Sequence, residues 1–336
     1  MKICIFGGSG FIGTNVALEA TKRKHHVIIM DSLARIGSEE NLYISNATYI
    51  RGDIRNQEDF ERLPKNIDAI INLAANSGVP WSFSYPLYDF KINALGALHV
   101  LEYARNNGKI PVIFASTNKI YPDKLNELHI KEKPTRYVWT DKKYIGVPES
   151  YPMDGVGSYS HSPYGASKSA ADLYHQEYYH AYKVPTVINR MSCIFGYYQK
   201  GVADQGWIDH FIKTITLGDG KLDIFGDGKQ VRDMLWAEDV AKLYLDELEQ
   251  INSIQGQVFN VGGGMQNTLS LLEAIEIIER YTERKAKVSF KNWRPADQKI
   301  YISDIRKVNK FLRWKPTVSP EEGIKKMIKR LNEHTI

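Results

Sequence analysis

The chain has 336 residues, 43% of them apolar, enough to bury a substantial core in one large domain or two moderate ones. Its 44 basic and 39 acidic residues leave a formal charge of +5, a mild excess that suits small anionic molecules and calls for no nucleic acid. No apolar run approaches the roughly 18 residues of a membrane span, and the N-terminal segment reads as a strand rather than a signal peptide, so a cytoplasmic protein away from membranes is expected. Cys4 and Cys193, the two cysteines, fall in apolar strand-like segments, as buried free thiols in a reducing compartment would.

In chain order, K-I-C-I-F (2–6) is the first predicted strand and a helix follows over 11–23. Further strands are predicted at 27–30, 48–50, 69–73, 112–116 and 186–190, with helices near 56–63, 86–107 and 164–182. The strands are apolar throughout rather than alternating, which suits a parallel sheet covered on both faces. Strand–helix alternation then predicts an α/β fold, a Rossmann-type doubly wound parallel sheet. Residues 1–190 are expected to form this cofactor domain, with a long Lys-, Tyr-, Pro- and Gly-rich insert near 123–160. Residues 191–336 should form mainly a smaller C-terminal α/β substrate-binding domain, with some chain interchange between the two. Its helices are predicted near 206–217, 237–250, 268–283, 304–311 and 319–333, and its strands near 222–225, 257–261 and 286–290.

The first strand runs into G-G-S-G-F-I-G, which opens the first helix. Gly7, Gly10 and Gly13 permit a tight turn and bring backbone N–H groups, with Phe11 and Ile12, against a pyrophosphate at the helix N-terminus. Alone, such a trio is equally well a simple turn. Asp31 strengthens the dinucleotide reading, because it ends the second strand where a carboxylate accepts from an adenosine ribose and repels a 2′-phosphate. NAD is therefore expected over NADP, although Arg35 nearby keeps NADP in view. R-G-D-I places Asp53 and Ile54 where adenine would lie; the alternative for Asp53 is a helix N-cap. N-L-A-A-N brings Ala74 and Ala75 to the carboxyl end of the fourth strand, beside the expected crevice.

A hydroxyl pair, Ser116-Thr117, ends the fifth strand, and Y-G-A-S-K later places Tyr164 and Lys168 four residues apart on one helical face. A tyrosine of pKa about 10 is a poor base at neutral pH. A neighbouring ammonium and a cationic nicotinamide both favour its phenolate, which could then take a proton from a substrate hydroxyl held by Thr117.

Together with N-A-L-G-A-L-H-V-L-E (93–102), G-D-G-K-Q-V-R-D (226–233) and W-A-E-D-V-A (236–241), these motifs resemble the extended short-chain dehydrogenase/reductase family of nucleotide-sugar epimerases and dehydratases. The resemblance runs over essentially the whole chain and implies Thr117, Tyr164 and Lys168 as catalytic residues. It also implies Asn93 as a buried support of the site and a nucleotide-diphosphate sugar as substrate. Arg232 and Arg294 would grip the diphosphate, since guanidinium forks suit phosphate oxygens. Gln205 and Trp207 of D-Q-G-W would meet the nucleotide. The family's 4,6-dehydratases carry acidic residues just after the catalytic Thr, where this chain has Asn118 and Lys119. Sugar dehydration thereby loses its acid, and Asn118 and Lys119 are expected to line the sugar site.

Within the family, S-T-N-K-I-Y, D-Q-G-W and R-P-A-D-Q-K (294–299) are most similar to the branch that epimerises C2 of a nucleotide-linked sugar. A 4-epimerase would use the same three catalytic residues, and a non-catalytic NAD-binding protein is a third reading. Pro122 stands where the family usually has Gly. His175 and His180, five apart, do not share a helical face, and no metal is expected. Tyr174, Tyr178 and Tyr182, spaced by four, suggest a pairing stripe in a homodimer or homotetramer.

Overall fold

The computed structural model describes residues 1–42, 46–142, 144–154 and 159–333; positions 143 and 155–158 of the predicted insert lie outside the described residues. Strands β1 (Lys2–Phe6), β2 (His26–Asp31), β3 (Thr48–Arg51), β4 (Ala69–Asn72) and β5 (Val112–Thr117) form at the predicted apolar runs. Helix α1 (Phe11–Lys22) follows β1, but the helix predicted near 56–63 is a 3₁₀ segment, Gln57–Arg62. The long helix predicted over 86–107 forms over Pro86–Asn106, with a π-helical turn within it and a separate short helix before it. Helices α2 (Val79–Ser84) and α3 (Pro86–Phe90) are separated by Tyr85, whose φ of −134° lies outside the helical range and which precedes a proline. A π-helical turn, Lys91–Gly96, then leads into α4 (Ala97–Asn106). Such widened turns are frequent at functional sites, and this one carries the buried Asn93.

The insert contributes a small hairpin of β6 (Ile130–Glu132) and β7 (Tyr137–Trp139), which docks on the C-terminal half. Arg136 pairs with Glu273 at 2.8 Å, and the Tyr137 hydroxyl donates to Asp227. Pro122, with φ −66°, starts a 3₁₀ segment over Asp123–Glu127 that leads into the hairpin. Helix α5 (Ser162–Tyr182) then crosses the sheet to β8 (Thr186–Met191), followed by β9 (Cys193–Phe195), α6 (Trp207–Thr216), β10 (Lys221–Phe225) and β11 (Val231–Trp236). Helices α7 (Ala237–Glu249) and α8 (Ile251–Ile254) precede β12 (Val258–Val261). The remaining elements are β13 (Thr268–Ser270), α9 (Leu271–Thr282), β14 (Lys287–Lys291), β15 (Ile300–Tyr301), α10 (Arg306–Leu312) and α11 (Pro320–Glu333).

Seven parallel strands make the main sheet in the order β12-β8-β5-β4-β1-β2-β3. Val258–Val261, grouped by its sequence position with the smaller unit, pairs with β8 and is thus where the chain crosses back. One face is covered by α1 and α7 through Val16, Ala17, Ala20, Val240, Tyr244 and Leu248. The other buries Val100, Leu101 and Ala104 of α4 against Cys4, Ile70 and Val112. The chain leaves β1 toward β2 on one side, and β4 adds on its other side. That reversal opens a crevice at the carboxyl ends of β1 and β4. The second core gathers Phe211, Ile212, Ile275, Ile278, Ile324 and Ile328 from α6, α9 and α11 around Trp236.

The tyrosine stripe predicted on α5 is not continuous. Tyr174 and Tyr182 are exposed, but Tyr178 is buried and donates to Glu102 Oε1 at 2.5 Å. Among the described residues no helix is long and apolar enough to cross a membrane, and no group of three or more His, Cys, Asp or Glu is placed to hold a metal ion.

Candidate active site

The glycine loop is as tight as its sequence demands. Gly7 has φ +76°, and a Cβ there would come within 2.8 Å of the Ala74 backbone nitrogen. A Cβ on Gly13 would stand 2.3 Å from the Gly7 carbonyl, so a side chain at either position would break the turn. Gly10 occupies the N-cap of α1 without a capping side chain, which leaves the first N–H groups of the helix, including those of Phe11 and Ile12, for an external acceptor. The buried Ser9 Oγ has no hydrogen-bond partner. Asp31 fastens this loop, accepting from Ser9 N–H at 3.0 Å and Leu33 N–H at 2.9 Å. Burial pushes its carboxyl above the usual range, and the two N–H groups oppose that rise. Beside it lies a cavity of about 200 Å³ lined by Ser9, Asp31, Leu33, Tyr49, Ile50 and Arg51 among others. An orphaned hydroxyl, a glycine cradle and a carboxylate with spare lone pairs fit the pyrophosphate and ribose of a dinucleotide.

Other predicted contacts are already occupied. The Asp53 carboxylate accepts from Arg55 through Nε and a 2.5 Å bond from Nη2, and it caps no helix. The Ile54 carbonyl accepts from His99 Nδ1 at 2.8 Å. Ala74 packs directly beside Gly7, and Ala75 is exposed at the rim. Arg35 donates to Gln205 and, at 3.1 Å, to the Lys200 carbonyl, so its guanidinium is engaged by the loop at 199–206. Gln205 itself donates to Ser77 Oγ. It thereby spans from the loop after β2 to the loop after β4, across the carboxyl end of β1 that lies between them.

Across the crevice, Thr117 ends β5 and accepts from the Lys119 N–H at 3.2 Å. The Tyr164 phenol lies near enough to Thr117 for that hydroxyl to act on its titration. Burial pushes that phenol up to about 12; Thr117 opposes the rise and Asp89 adds to it. Lys168 donates from Nζ to the Ala115 carbonyl at 2.6 Å and lies 4.2 Å from the centre of the Phe114 ring. Burial pulls its ammonium down to about 7, against the pull of Asp172 and Asp89. The protein alone therefore keeps Tyr164 protonated at neutral pH.

Two polar clusters hold α5; sequence reasoning named Asn93 and Ser116 among their members and missed the rest. On one side, Asn93 donates to the Asn76 carbonyl at 3.0 Å and accepts from the Asn76 N–H at 2.9 Å. Asp89 accepts from Asn93, from Asn76 Nδ2 and, at 2.5 Å, from Ser167 Oγ. On the other, Asp172 accepts from Ser116 Oγ at 2.6 Å and from both Nε and Nη2 of Arg190, at 3.1 and 3.0 Å. Arg190 also donates to the Tyr121 hydroxyl, which donates to Asn260 at 2.8 Å. The signal was present in part: Tyr164, Lys168 and Asp172 continue one i, i+4, i+8 face.

On the substrate side, Arg232 of β11 donates to Asp297 at 2.6 Å, and the Lys119 ammonium lies 3.6 Å from the same carboxylate oxygen. Asn118 is buried beside Thr117. Arg294 lies over the Phe225 ring at 4.0 Å and donates to the Ala203 carbonyl and Asp204. Trp207 is drawn into the second core, with its Nε1 donating to Cys193 Sγ at 3.2 Å and its ring edge-on to Phe211. His175, fully buried, stacks on Phe114 at 3.9 Å and is pulled down to about 3 by burial, a neutral core histidine.

Residues 3–262 match the model of the NAD dependent epimerase/dehydratase family. The chain is 38% identical to a CDP-paratose 2-epimerase of Salmonella typhi, over 97% of this chain and 98% of that protein. It is 30% identical to a UDP-glucuronate 4-epimerase of Thermodesulfobacterium geofontis, over 96% and 94%. Among solved structures, UDP-glucose 4-epimerase of Thermotoga maritima with UDP-glucose superposes with TM-score 0.84 at 27% identity, covering all of both chains. UDP-glucuronic acid 4-epimerase of Bacillus cereus, in complex with UDP-glucuronic acid and NAD, gives 0.80 at 26% identity over 98% of this chain and 100% of that one. The chain belongs to the NAD dependent epimerase/dehydratase family, as an NAD-using enzyme that acts on sugars.

Proposed function

We infer that this enzyme is a 2-epimerase of a CDP-linked sugar, similar to CDP-paratose, with Thr117, Tyr164 and Lys168 as its catalytic residues. The observation that carries the reading is what stands beside Thr117. Asn118 and Lys119 offer no carboxylic acid, and Asp297, the nearest carboxylate to Lys119, is no proton donor. Burial would raise its pKa, but Arg232 and Lys119 together hold it below the usual range. Elimination of a sugar hydroxyl needs an acid to protonate the leaving group. Oxidation and return need only a base for a hydroxyl proton.

Bound in the crevice against Gly7, Gly10, Gly13 and Asp31, NAD⁺ supplies a reversible two-electron acceptor and the positive ring charge that favours the Tyr164 phenolate. Thr117 holds the C2 oxygen while Tyr164 takes its proton, leaving a 2-keto sugar. Arg232 and Arg294 keep the diphosphate anchored as the keto sugar turns over. Tyr164 then returns the proton to the reformed alcohol on the opposite face. Self-association through the exposed Tyr174 and Tyr182 face of α5, in a homodimer or homotetramer, accompanies this reading.

The 4-epimerase reading draws support from the superposition on the Thermotoga maritima enzyme. Isotopes separate the two. CDP-paratose deuterated at C2 should show a primary isotope effect and keep its label on the epimerised carbon, with no solvent deuterium entering carbon. An isotope effect confined to C4 would assign the 4-epimerase. Solvent label in carbon would overturn both, because neither route abstracts a proton from carbon.

A further inference from the structure

The segment 294–299 is stitched to the segment that follows Thr117. Gln298 Nε2 donates to the Tyr121 carbonyl at 3.0 Å, and Asn126 Nδ2 donates to the Asp297 carbonyl at 2.9 Å. Lys299 N–H returns a bond to Asn126 Oδ1 at 2.7 Å, and Gln298 N–H donates to Asp297 Oδ1 at 3.0 Å. The Asp297 carboxylate is therefore fixed from its own backbone. The two cations that meet it come from separate elements, Lys119 from the turn after β5 and Arg232 from β11. Their side chains are only 18% and 12% exposed.

The two cations are held unequally. Arg232 makes a short charge-assisted hydrogen bond at 2.6 Å, whereas Lys119 at 3.6 Å is beyond hydrogen-bond range and keeps its three donors for another acceptor. Asp123, the other carboxylate acting on Lys119, already accepts from the Ser160 N–H at 2.8 Å. Two sheltered cations around one shared carboxylate leave an excess positive charge. Lys119 stands two residues from the hydroxyl that meets the reacting sugar oxygen. Both cations meet the same Asp297 oxygen, so an anion beside Thr117 would find them side by side.

We propose that Asp297 is a positioning residue that sets Lys119 and Arg232 side by side as one cradle for the diphosphate of the nucleotide sugar, with Lys119 on the phosphate next to the sugar. This rests on the nucleotide-sugar reading above and adds to it the residue that reads the sugar-side phosphate. Lys119 contacts substrate; Asp297 acts through Lys119 and Arg232.

The test uses the NAD-loaded full chain, with calorimetric binding of CDP, UDP and inorganic pyrophosphate at low and high salt. Lys119→Met should weaken both the preferred nucleoside diphosphate and pyrophosphate by about ten- to a hundred-fold, the size of one charge-assisted hydrogen bond. It should also flatten their salt dependence. Asp297→Asn should tighten pyrophosphate at low salt, because it removes a negative charge beside two cations, while kcat falls as the cations lose their common anchor. A role in folding alone would not tighten an anion. Unchanged affinities in Lys119→Met, or weaker pyrophosphate binding in a folded Asp297→Asn, would overturn the proposal. If UDP binds in place of CDP, the base assignment fails while the cradle is still scored on UDP. If no nucleoside diphosphate binds, both fail.

Discussion

Asp89 of α3, packed against the helix that carries Tyr164, and Asp172, on that helix itself, are both fully buried, yet they are satisfied in opposite ways. Asp89 is met only by neutral donors from Asn76, Asn93 and Ser167. Asp172 is met by two nitrogens of Arg190, with Ser116 and Gln176 completing its shell. Neutral dipoles compensate a buried carboxylate only in part, and burial pushes the Asp89 carboxyl above its usual range despite the added pull of Lys168. A fork-to-fork guanidinium supplies the opposite charge itself. One cluster is thus a hydrogen-bond junction that fixes a π-helical turn beside the crevice. The other is an ion pair locked between the catalytic helix and the sheet.

The largest expected effect belongs to the group both clusters serve. Tyr164→Phe leaves each carboxylate and its partners in place, and should lower turnover by about a hundred- to ten-thousand-fold with substrate binding retained. Retention of most of the activity would remove Tyr164 as the base. Next comes Asp172→Ala, which strands Arg190 in the interior and should cost about 3–5 kcal/mol in urea unfolding. Asp89→Asn keeps one acceptor and loses part of the junction, for about 1–3 kcal/mol. Equal losses in the two variants would erase the distinction drawn between them.

The same contrast has a pH signature. Because the Asp89 pKa is raised on folding, its native state holds the proton more tightly. That stability is fully present below the ordinary carboxyl pKa and is lost as pH rises through the folded value. The stability gap between wild type and Asp89→Asn should therefore narrow as pH rises from about 4 toward neutrality. A gap that stays flat in urea midpoints across that range would contradict the raised pKa.

Local patterns made much of the molecule readable from sequence. Gly7, Gly13 and Asp31 are constrained by turns and strand ends within a short stretch, and Tyr164–Lys168 lies within one helical turn. Asp297 was not legible, because its partners at 119, 126 and 232 come from segments brought together only by the fold. Arg190 ends an apolar parallel strand, an odd place for a cation, but nothing local names its partner. The helix predicted over 86–107 forms from Pro86 to Asn106, but its π-helical turn was not legible, because the bonds of Asn93 to Asn76 that accompany it are tertiary. Trp207 looked like a ligand contact because of its motif, while its ring is apolar enough to be claimed by the second core.

The loop that bears Gln205 closes over the place where β1 ends, held by Arg35 and Ser77 on one flank and by Arg294 on the other. An epimerase finishes each cycle with its cofactor in the state in which it began, so the chemistry never requires exchange. On the epimerase reading proposed above, a dinucleotide held beneath this loop would be resident rather than visiting, leaving only when contacts from three separate segments part together. Its residence time is then a property of the loop's opening, separable from the grip of the glycine cradle beneath.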